Sequence, residues 1–370
     1  MRILMTTDTV GGVFTYAIEL AEGLRHDGVE VALATFGRRM SCDQRRRVRA
    51  AGAEVLLESS LALEWMPDPW DDVRVAEELL LELERREQPD VVHLNAFAHG
   101  AAPWRAPALV VGHSCVCSWW AAVHGQAPPA AWSGYRAAVT AGIAGARAVV
   151  APTNTMLTAL DDWYGPLPRE SRVILNGSGY VGAAARMPKR PVVLTAGRLW
   201  DEAKNAAVLG RVASRPGLRG RVLLAGETGR PGGGHSAAAG NTFPEATLLG
   251  PLAPGALARV RRSAAVYAAP AWYEPFGLGI LEAARDRCAL VLGDIPALRE
   301  LWDGAAVFVA PGDDDRLAQT LEHLVADPAA AAALGELARA RARRYTVAGM
   351  AAGYGALYRS LTSAHRAVAA

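Results

Sequence analysis

A chain of 370 residues, 51% hydrophobic and 21% charged, is long enough for two domains with separate cores and too apolar to stay disordered. Its 39 basic and 37 acidic side chains nearly cancel, which removes the basic excess expected of a nucleic-acid binder. The N-terminal "MRILMTTDTVGG" turns polar too early for a signal peptide, and no window approaches the ~18 uninterrupted apolar residues of a membrane span. A cytoplasmic protein is expected, with membrane contact peripheral at most. The cysteines Cys42, Cys115, Cys117 and Cys288 have neither metal nor disulfide spacing, and Cys115 and Cys117 read as small buried residues.

"RILMTT" opens the chain as a strand, followed by a helical stretch from about Val13 to His26 and the strand "VEVALATF". Gly11 and Gly12 stand where the first strand gives way to the helix. Glycines there let backbone amides approach an anion closely, and a tight turn would also explain them. "DQRRRVRAAG" (43–52) is a basic run on a helix, either a solvated face or a contact for an anionic surface or acidic acceptor.

"AEVLLES", "DVVHLN", "PALVVGHS", "ARAVVAP" and "RVILNG" continue the series, with amphipathic segments between most of them. Short β-rich runs alternating with helices predict a parallel sheet covered on both faces. Ligands of such sheets bind at the carboxyl ends of the strands. His93 and Asn95 end one strand, His99 follows, and His113 follows the next strand.

"NGSGYVGAAARMPKRP" (176–191) reads as a linker, after which the pattern restarts with "VVLTAG", "RVLLAG", "ATLLG", "AAVYAAP", "CALVLG" and "AAVFVAP". The expected fold is α/β: two Rossmann-like domains, residues 1–180 and 181–344, facing each other across a cleft. The helical tail, 345–370, is expected to return to the first domain. "PGGGHSAAAG" (231–240) reads as a loop without apolar periodicity. "DDD" at 313–315 most simply caps a helix, and no D-x-D adjoins a strand, so neither a metal nor a cofactor is expected.

"AWYEPFGLGILEAARDR" (271–287) sets Glu274 in a loop and Glu282 about two turns into a helix that begins near Gly277. Straight helix would separate them by roughly 12 Å, against about 5–10 Å for a glycosidase acid/base pair. The amides of Phe276, Gly277 and Leu278 open a helix N-terminus that favours an anion such as phosphate. Two carboxylates flanking that site suit the hydroxyls of two sugars on either side of a diphosphate.

This stretch resembles the E-x(7)-E signature of the retaining, nucleotide-sugar-dependent glycosyltransferases of family 4, which have the GT-B fold. "AGRLWDEAKN" (196–205) resembles their phosphate clamp, with Arg198 and Lys204 as its basic pair. "DTVGGVFTYAIELAEGL" (8–24) resembles their N-terminal glycine loop, "VILNGSG" their interdomain turn, and "LLGPLAP" (248–254) their nucleobase loop. The resemblance implies Glu282 on ribose, Arg198 and Lys204 on the diphosphate, and Glu274 on the transferred sugar. It also implies main-chain groups near Leu249 and Leu252 on the base, and His113 near the sugar. Asn95 or His99 would touch acceptor or donor. Trp119 and Trp120 offer flat faces for a sugar or cyclitol ring, and equally serve as packing residues. The implied donor is a nucleotide diphosphate sugar, UDP-linked first and GDP-linked second. The acceptor would be a hydroxyl of a saccharide, a lipid-linked intermediate or a natural product. An epimerase or phosphorylase on the same fold, a non-catalytic sugar-binding relative, a hydrolase and a dinucleotide-dependent oxidoreductase are the alternatives.

Overall fold

Strands covered on both faces have no solvent side, so their residues run apolar without alternation. β1 (Arg2–Asp8), β2 (Glu30–Phe36), β4 (Val91–Leu94), β5 (Ala108–Val111) and β6 (Ala148–Ala151) are such strands, and all but their ends are buried. They form a computed structural model's first parallel sheet, completed by β3 (Glu54–Glu58) and β7 (Arg172–Val173) in the order β3-β2-β1-β4-β5-β6-β7. The structure describes residues 1–182, 187–229 and 243–369. The loop at 231–240 lies outside them.

Helices α1 (Gly12–His26), α2 (Cys42–Ala51), α3 (Trp70–Glu87), α4 (Val116–His124), α5 (Ser133–Gly145) and α6 (Asn154–Tyr164) make the crossovers. The basic α2 carries a capping box on Ser41, and its Arg45 pairs with Glu58 while Arg47 lies over Phe14. Cys115 caps α4, its Sγ accepting from the Ser118 amide, and both it and Cys117 are buried, as expected of small core residues.

The second sheet has six parallel strands in the order β10-β9-β8-β11-β12-β13. They are β8 (Arg190–Ala196), β9 (Arg221–Ala225), β10 (Thr247–Gly250), β11 (Ala264–Ala269), β12 (Ala289–Gly293) and β13 (Val307–Val309). Its described helices are α7 (Ala207–Ala213), α8 (Pro254–Ser263), α9 (Leu278–Arg285), α10 (Pro296–Trp302), α11 (Asp314–Ala326) and α12 (Pro328–Ala342). Asp313 caps α11 by accepting from the Arg316 amide, the capping role expected of the acidic run. Leu209, Val266, Val291 and Leu321 are among the fully buried side chains of this core.

The chain divides into two compact units. Met1–Ala121, Gly125–Gly179 and Tyr345–Ala370 form one; Ala122–His124 and Tyr180–Arg344 form the other. The last helix, α13 (Val347–Ala369), packs on α1 of the first unit. A methyl at Gly23 of α1 would come within 2.7 Å of Val347 and 2.9 Å of Ala351, so only a glycine admits the two helices this closely. The segment at 176–182 is not the loose linker its composition suggests. Asn176 and Ser178 are buried, Ser178 bridges to Thr346, and the Tyr180 hydroxyl donates to Asp286 at 2.7 Å. Residues 183–186 lie outside the described part.

Both sheets reverse their winding at one place. β1 lies between β2 and β4, and β8 lies between β9 and β11. Crevices at such switch points, beyond the strands' carboxyl ends, are where doubly wound sheets bind ligands.

Candidate active site

At the second unit's switch point, β8 and β9 end in Gly197 and Gly226, with φ of +153° and +146°. A Cβ on Gly226 would fall 1.7 Å from the Gly197 carbonyl oxygen, so this close approach of two chains requires glycine. Arg198 comes next. Its Nη2 donates to Asp201 Oδ2 at 2.9 Å, and its guanidinium lies 5.5 Å from the Trp200 ring centre. Asp201 also accepts from the Ala203 amide at 3.2 Å and so opens the short turn Glu202–Lys204. That turn delivers Lys204 Nζ to Glu274 Oε2, 2.7 Å away. Asn205, at φ +51°, donates to the carbonyls of Pro270 and Pro311 at 3.0 and 2.8 Å and ties the turn to the loop after β11.

The loop carrying Glu274 runs into α9 through Gly277, whose φ of +82° no branched side chain adopts easily. Phe276 is buried beneath it, and Leu278 begins the helix. The helix starts at Leu278, and Glu282 is its fifth residue, just past the first turn rather than about two turns in. Arg261 of α8 donates through Nη1 to Glu282 and through Nε to Asp286 Oδ2 at 2.7 Å. Arg261 and Asp286 are both buried. Burial works against the Arg261 charge, but the Glu282 and Asp286 carboxylates outweigh it and hold the guanidinium firmly protonated. The two glutamates of the signature thus each have a cation of their own. Leu249 lies in edge strand β10 and Leu252 just beyond it, both half-buried.

In the first unit, Asp8 ends β1 and its Oδ1 accepts from the amides of Val10 and Gly11 at 2.8 and 2.9 Å. The Gly11 amide expected to meet an anion is therefore already bonded to a carboxylate. Its φ of −138° is open to any residue, and Gly12 begins α1. His113 Nε2 lies 2.8 Å from Asn95 Oδ1, and Asn95 Nδ2 donates to the Thr6 carbonyl at 2.7 Å. The structure brings Asn95 and His113 together, but as partners of one another. The Asn95 amide is engaged at both ends rather than held out to an acceptor.

His99 is 6% exposed, beside Phe36, and its buried Nδ1 has no hydrogen-bond partner among the described residues. It lies inside the first unit's core, where a ligand would have to displace packed side chains to reach it. Burial lowers its pKa to about 4. His93 is fully buried; burial, and then the neighbouring His113, lower its pKa to about 3. Burial alone takes His113 to about 3, although the residue as a whole is half-buried. Trp119 and Trp120 lie on α4 with ring centres 5.9 Å apart, tilted by 59° against each other, both half-buried.

Three supporting residues escaped the sequence. Arg261 sits in "ARVRRS", where nothing marks it apart from Arg259 and Arg262; only helix phase aims it inward. Asp201 looks like a surface acid until its cap and its Arg198 contact are seen. Glu64 is buried and accepts from the Phe97 and Ala98 amides; burial raises its pKa while those bonds lower it. Its signal, a lone acid in "LALEWMP", was present but unremarkable.

Two doubly wound parallel sheets in one chain, with polar residues gathered at each switch point, define a GT-B type α/β protein. Solved structures of that fold agree over nearly the full length. Sucrose-phosphate synthase from Thermosynechococcus elongatus superposes with a TM-score of 0.80 at 20% identity, covering 98% of this chain and 100% of that one. HepE of Anabaena, solved in complex with UDP-glucose, gives 0.76 at 18% identity, covering 98% and 100%. The family model described as Glycosyltransferase Family 4 matches residues 10–178, and that described as Glycosyl transferases group 1 matches residues 190–327. The chain belongs to this family of GT-B glycosyltransferases. A relative of partial extent is the lipopolysaccharide core biosynthesis mannosyltransferase LpcC of Rhizobium leguminosarum bv. viciae. It is 36% identical over 108 residues, which span 28% of this chain and 31% of LpcC.

Proposed function

We propose that the protein is a retaining glycosyltransferase that moves a hexosyl group from a nucleoside diphosphate sugar to a hydroxyl acceptor. The observation that carries this reading is the Lys204–Glu274 bond at the second sheet's switch point, with Glu282 held separately by Arg261. A carboxylate locked to a cation is a poor general base and a good acceptor for hydroxyl groups. Glu282 would receive the ribose hydroxyls, Glu274 the transferred sugar, and main-chain groups at Leu249 and Leu252 the base. Arg198 supplies a fixed fork and Lys204 a mobile charge to the diphosphate, with the Phe276, Gly277 and Leu278 amides at the N-terminus of α9 behind them. The first unit would supply Gly12, His113 and the acceptor subsite, with Trp119 and Trp120 as candidate stacking faces.

In the chemical step, the acceptor oxygen bonds to the anomeric carbon on the face from which the diphosphate departs. The bond from that carbon to the phosphate oxygen breaks, the diphosphate keeps the electron pair, and one of its oxygens takes the acceptor's proton. Positioning and electrostatic stabilisation of the leaving charge do the work, without a metal or cofactor. UDP is the preferred nucleotide, with GDP second; HepE was solved with UDP-glucose and with UDP. LpcC's role in lipopolysaccharide core biosynthesis supports a saccharide or lipid-linked acceptor.

A thermal-shift panel of UDP, GDP, ADP, dTDP and NAD, with magnesium or with EDTA, tests the reading. A diphosphate at about 100 times its Kd stabilises the native state by roughly 2.7 kcal/mol. Stabilisation by one diphosphate in EDTA is expected, together with transfer from its sugar conjugate giving the same anomeric configuration. A response to NAD alone, or to nothing, overturns it.

A further inference from the structure

At the amino end of the second sheet, β8 begins at Arg190, β11 at Ala264 and β12 at Ala289, and a cavity of about 390 Å³ opens beside these starts. β8 is seven residues long, which puts the cavity roughly 20 Å from the switch point at the strand's other end. Close-packed interiors leave few voids larger than a water molecule, whereas ligand pockets begin at about 300 Å³. The floor is apolar and buried: Ala265 of β11, Leu324 and Val325 at the end of α11, and Ala331 of α12. Met187 lines the rim and is 49% exposed; its unbranched thioether side chain adapts to whatever packs on it.

The charged groups around this floor do not cancel. The Asp286 carboxylate is fully engaged: it accepts from the Tyr180 hydroxyl at 2.7 and 2.8 Å and from Arg261 Nε at 2.7 Å, with Arg262 Nε 3.7 Å away. Glu336 Oε1 lies 3.0 Å from Arg287 Nε. The remaining cations are Lys189, half-buried, and Arg190, exposed. Lys189 Nζ donates to the Asp286 carbonyl at 2.8 Å and lies 3.5 Å from Cys288 Sγ, both uncharged partners. An ammonium has three N–H donors, so Lys189 keeps one unspent. Among the described residues neither Lys189 nor Arg190 forms an ion pair.

We propose that this cavity binds an anionic amphiphile, its carboxylate or phosphate head on Lys189 and Arg190 and its saturated chain on the floor of Leu324, Val325 and Ala331. Chemistry on both sides sets the class. An inorganic anion would leave the apolar floor wet, and a neutral hydrocarbon would leave the two cations without a counter-charge. A cationic amphiphile would add to an existing excess. Binding there is independent of sugar transfer. The site nevertheless shares a wall with the donor end of the unit, because Asp286 lines the cavity and also holds Arg261, the partner of Glu282.

Calorimetric titration of the whole protein with straight-chain carboxylates from hexanoate to dodecanoate, below micelle formation, tests the site. One equivalent is expected to bind, with Kd falling roughly fourfold per added methylene until the floor is covered. The matching alcohol should bind roughly tenfold more weakly for want of a charged head, and the matching alkylamine not at all. An alkyl phosphate of the same length distinguishes the two heads, the tighter binder being the head the site is built for. Ala332→Trp, on the exposed part of α12 that lines the cavity, fills it without altering charge. It should abolish binding and leave the melting temperature of the free protein unchanged. Arg190→Gln should cut the carboxylate's lead over the alcohol and keep the chain-length dependence. Affinity that ignores chain length, amines that bind as well as carboxylates, full binding in Ala332→Trp, or no binding by any chain each overturns the proposal. If the tryptophan unfolds the protein, Arg190→Gln decides alone: an undiminished lead of carboxylate over alcohol overturns it.

Discussion

The two switch points solve different electrostatic problems with the same backbone architecture. At the second unit's, every prominent side chain is charged and paired: Arg198 with Asp201, Lys204 with Glu274, and Arg261 with Glu282 and Asp286. At the first unit's, the Asp8 carboxylate is taken up by the Val10 and Gly11 amides and the other prominent groups are neutral: His93 and His113 are held uncharged, and Asn95 and Tyr16 are their partners. Paired charges remain ionised under partial burial and suit a ligand that carries charge itself. Uncharged donors and acceptors in a low-dielectric setting suit hydroxyl groups, whose recognition depends on direction rather than on field. Under the proposed sugar transfer, this contrast is what a diphosphate at the second unit and hydroxyls at the first would call for.

The largest expected effect breaks the charged side. Asp286→Ala leaves Arg261, 3% exposed, without its buried carboxylate partner. Arg261 keeps the half-exposed Glu282 carboxylate, so the loss should approach about 3 kcal/mol, the lower end of the cost of a buried charge left without any partner. Urea denaturation should show the loss, and an unchanged midpoint would mean that the pair is not structural.

Lys204→Ala comes next. It removes the mobile cation proposed for the leaving diphosphate and should lower kcat/KM by roughly 100-fold or more, the scale of one lost charge-stabilising donor. Steady-state kinetics with a nucleotide sugar check this; a change in KM alone would place Lys204 in ground-state binding.

Acid sharpens the comparison through the neutral side. His93 and His113 have folded pKa values near 3 and His99 near 4, against an ordinary value of 6.5. Below about 6.5 the unfolded chain takes up protons that the folded one refuses. The stability from keeping them neutral is thus complete above 6.5 and is lost as pH falls towards 4 and then 3. Each contributes a slope of up to about 1.4 kcal/mol per pH unit. Chemical denaturation between pH 7 and 5 should show the decline, shallower in His99→Phe; equal slopes would mean His99 titrates normally.

The smallest effect serves as a control on charge pairing as such. Arg211 and Asp314 form a pair with 53% and 30% of their side chains exposed. Asp314→Ala should cost less than about 1 kcal/mol in the same urea experiment. A loss as large as that of Asp286→Ala would show that burial is not what distinguishes the two.

Most strands were legible because two-sided burial writes itself as uninterrupted apolar runs, as in "RILMTT" and "CALVLG". β7 was less so: "RVILNG" promised a full strand, but only Arg172–Val173 pair before the chain turns away. Arg198, Lys204 and Glu274 stood out as charged groups in loops past strand ends, and Glu282, inside a helix, stood out through the E-x(7)-E resemblance. What holds them did not. Arg261 and Asp286 are distant in sequence from Lys204, and their burial depends on the angular phase of α8 and on the residue where α9 ends.

The sequence by itself determined the two doubly wound sheets, the ends at which chemistry gathers and the residue types found there, because apolar periodicity and strand-end position are local properties. Only the tertiary structure decided the pairings: that Gly11 spends its amide on Asp8, that Asn95 faces His113, that His99 lies in the core, and that Arg261 locks Glu282. Each pairing joins segments brought together by β-sheet order and helix packing, and hydrogen-bond partners are chosen by distance in space, which residue spacing along the chain does not encode.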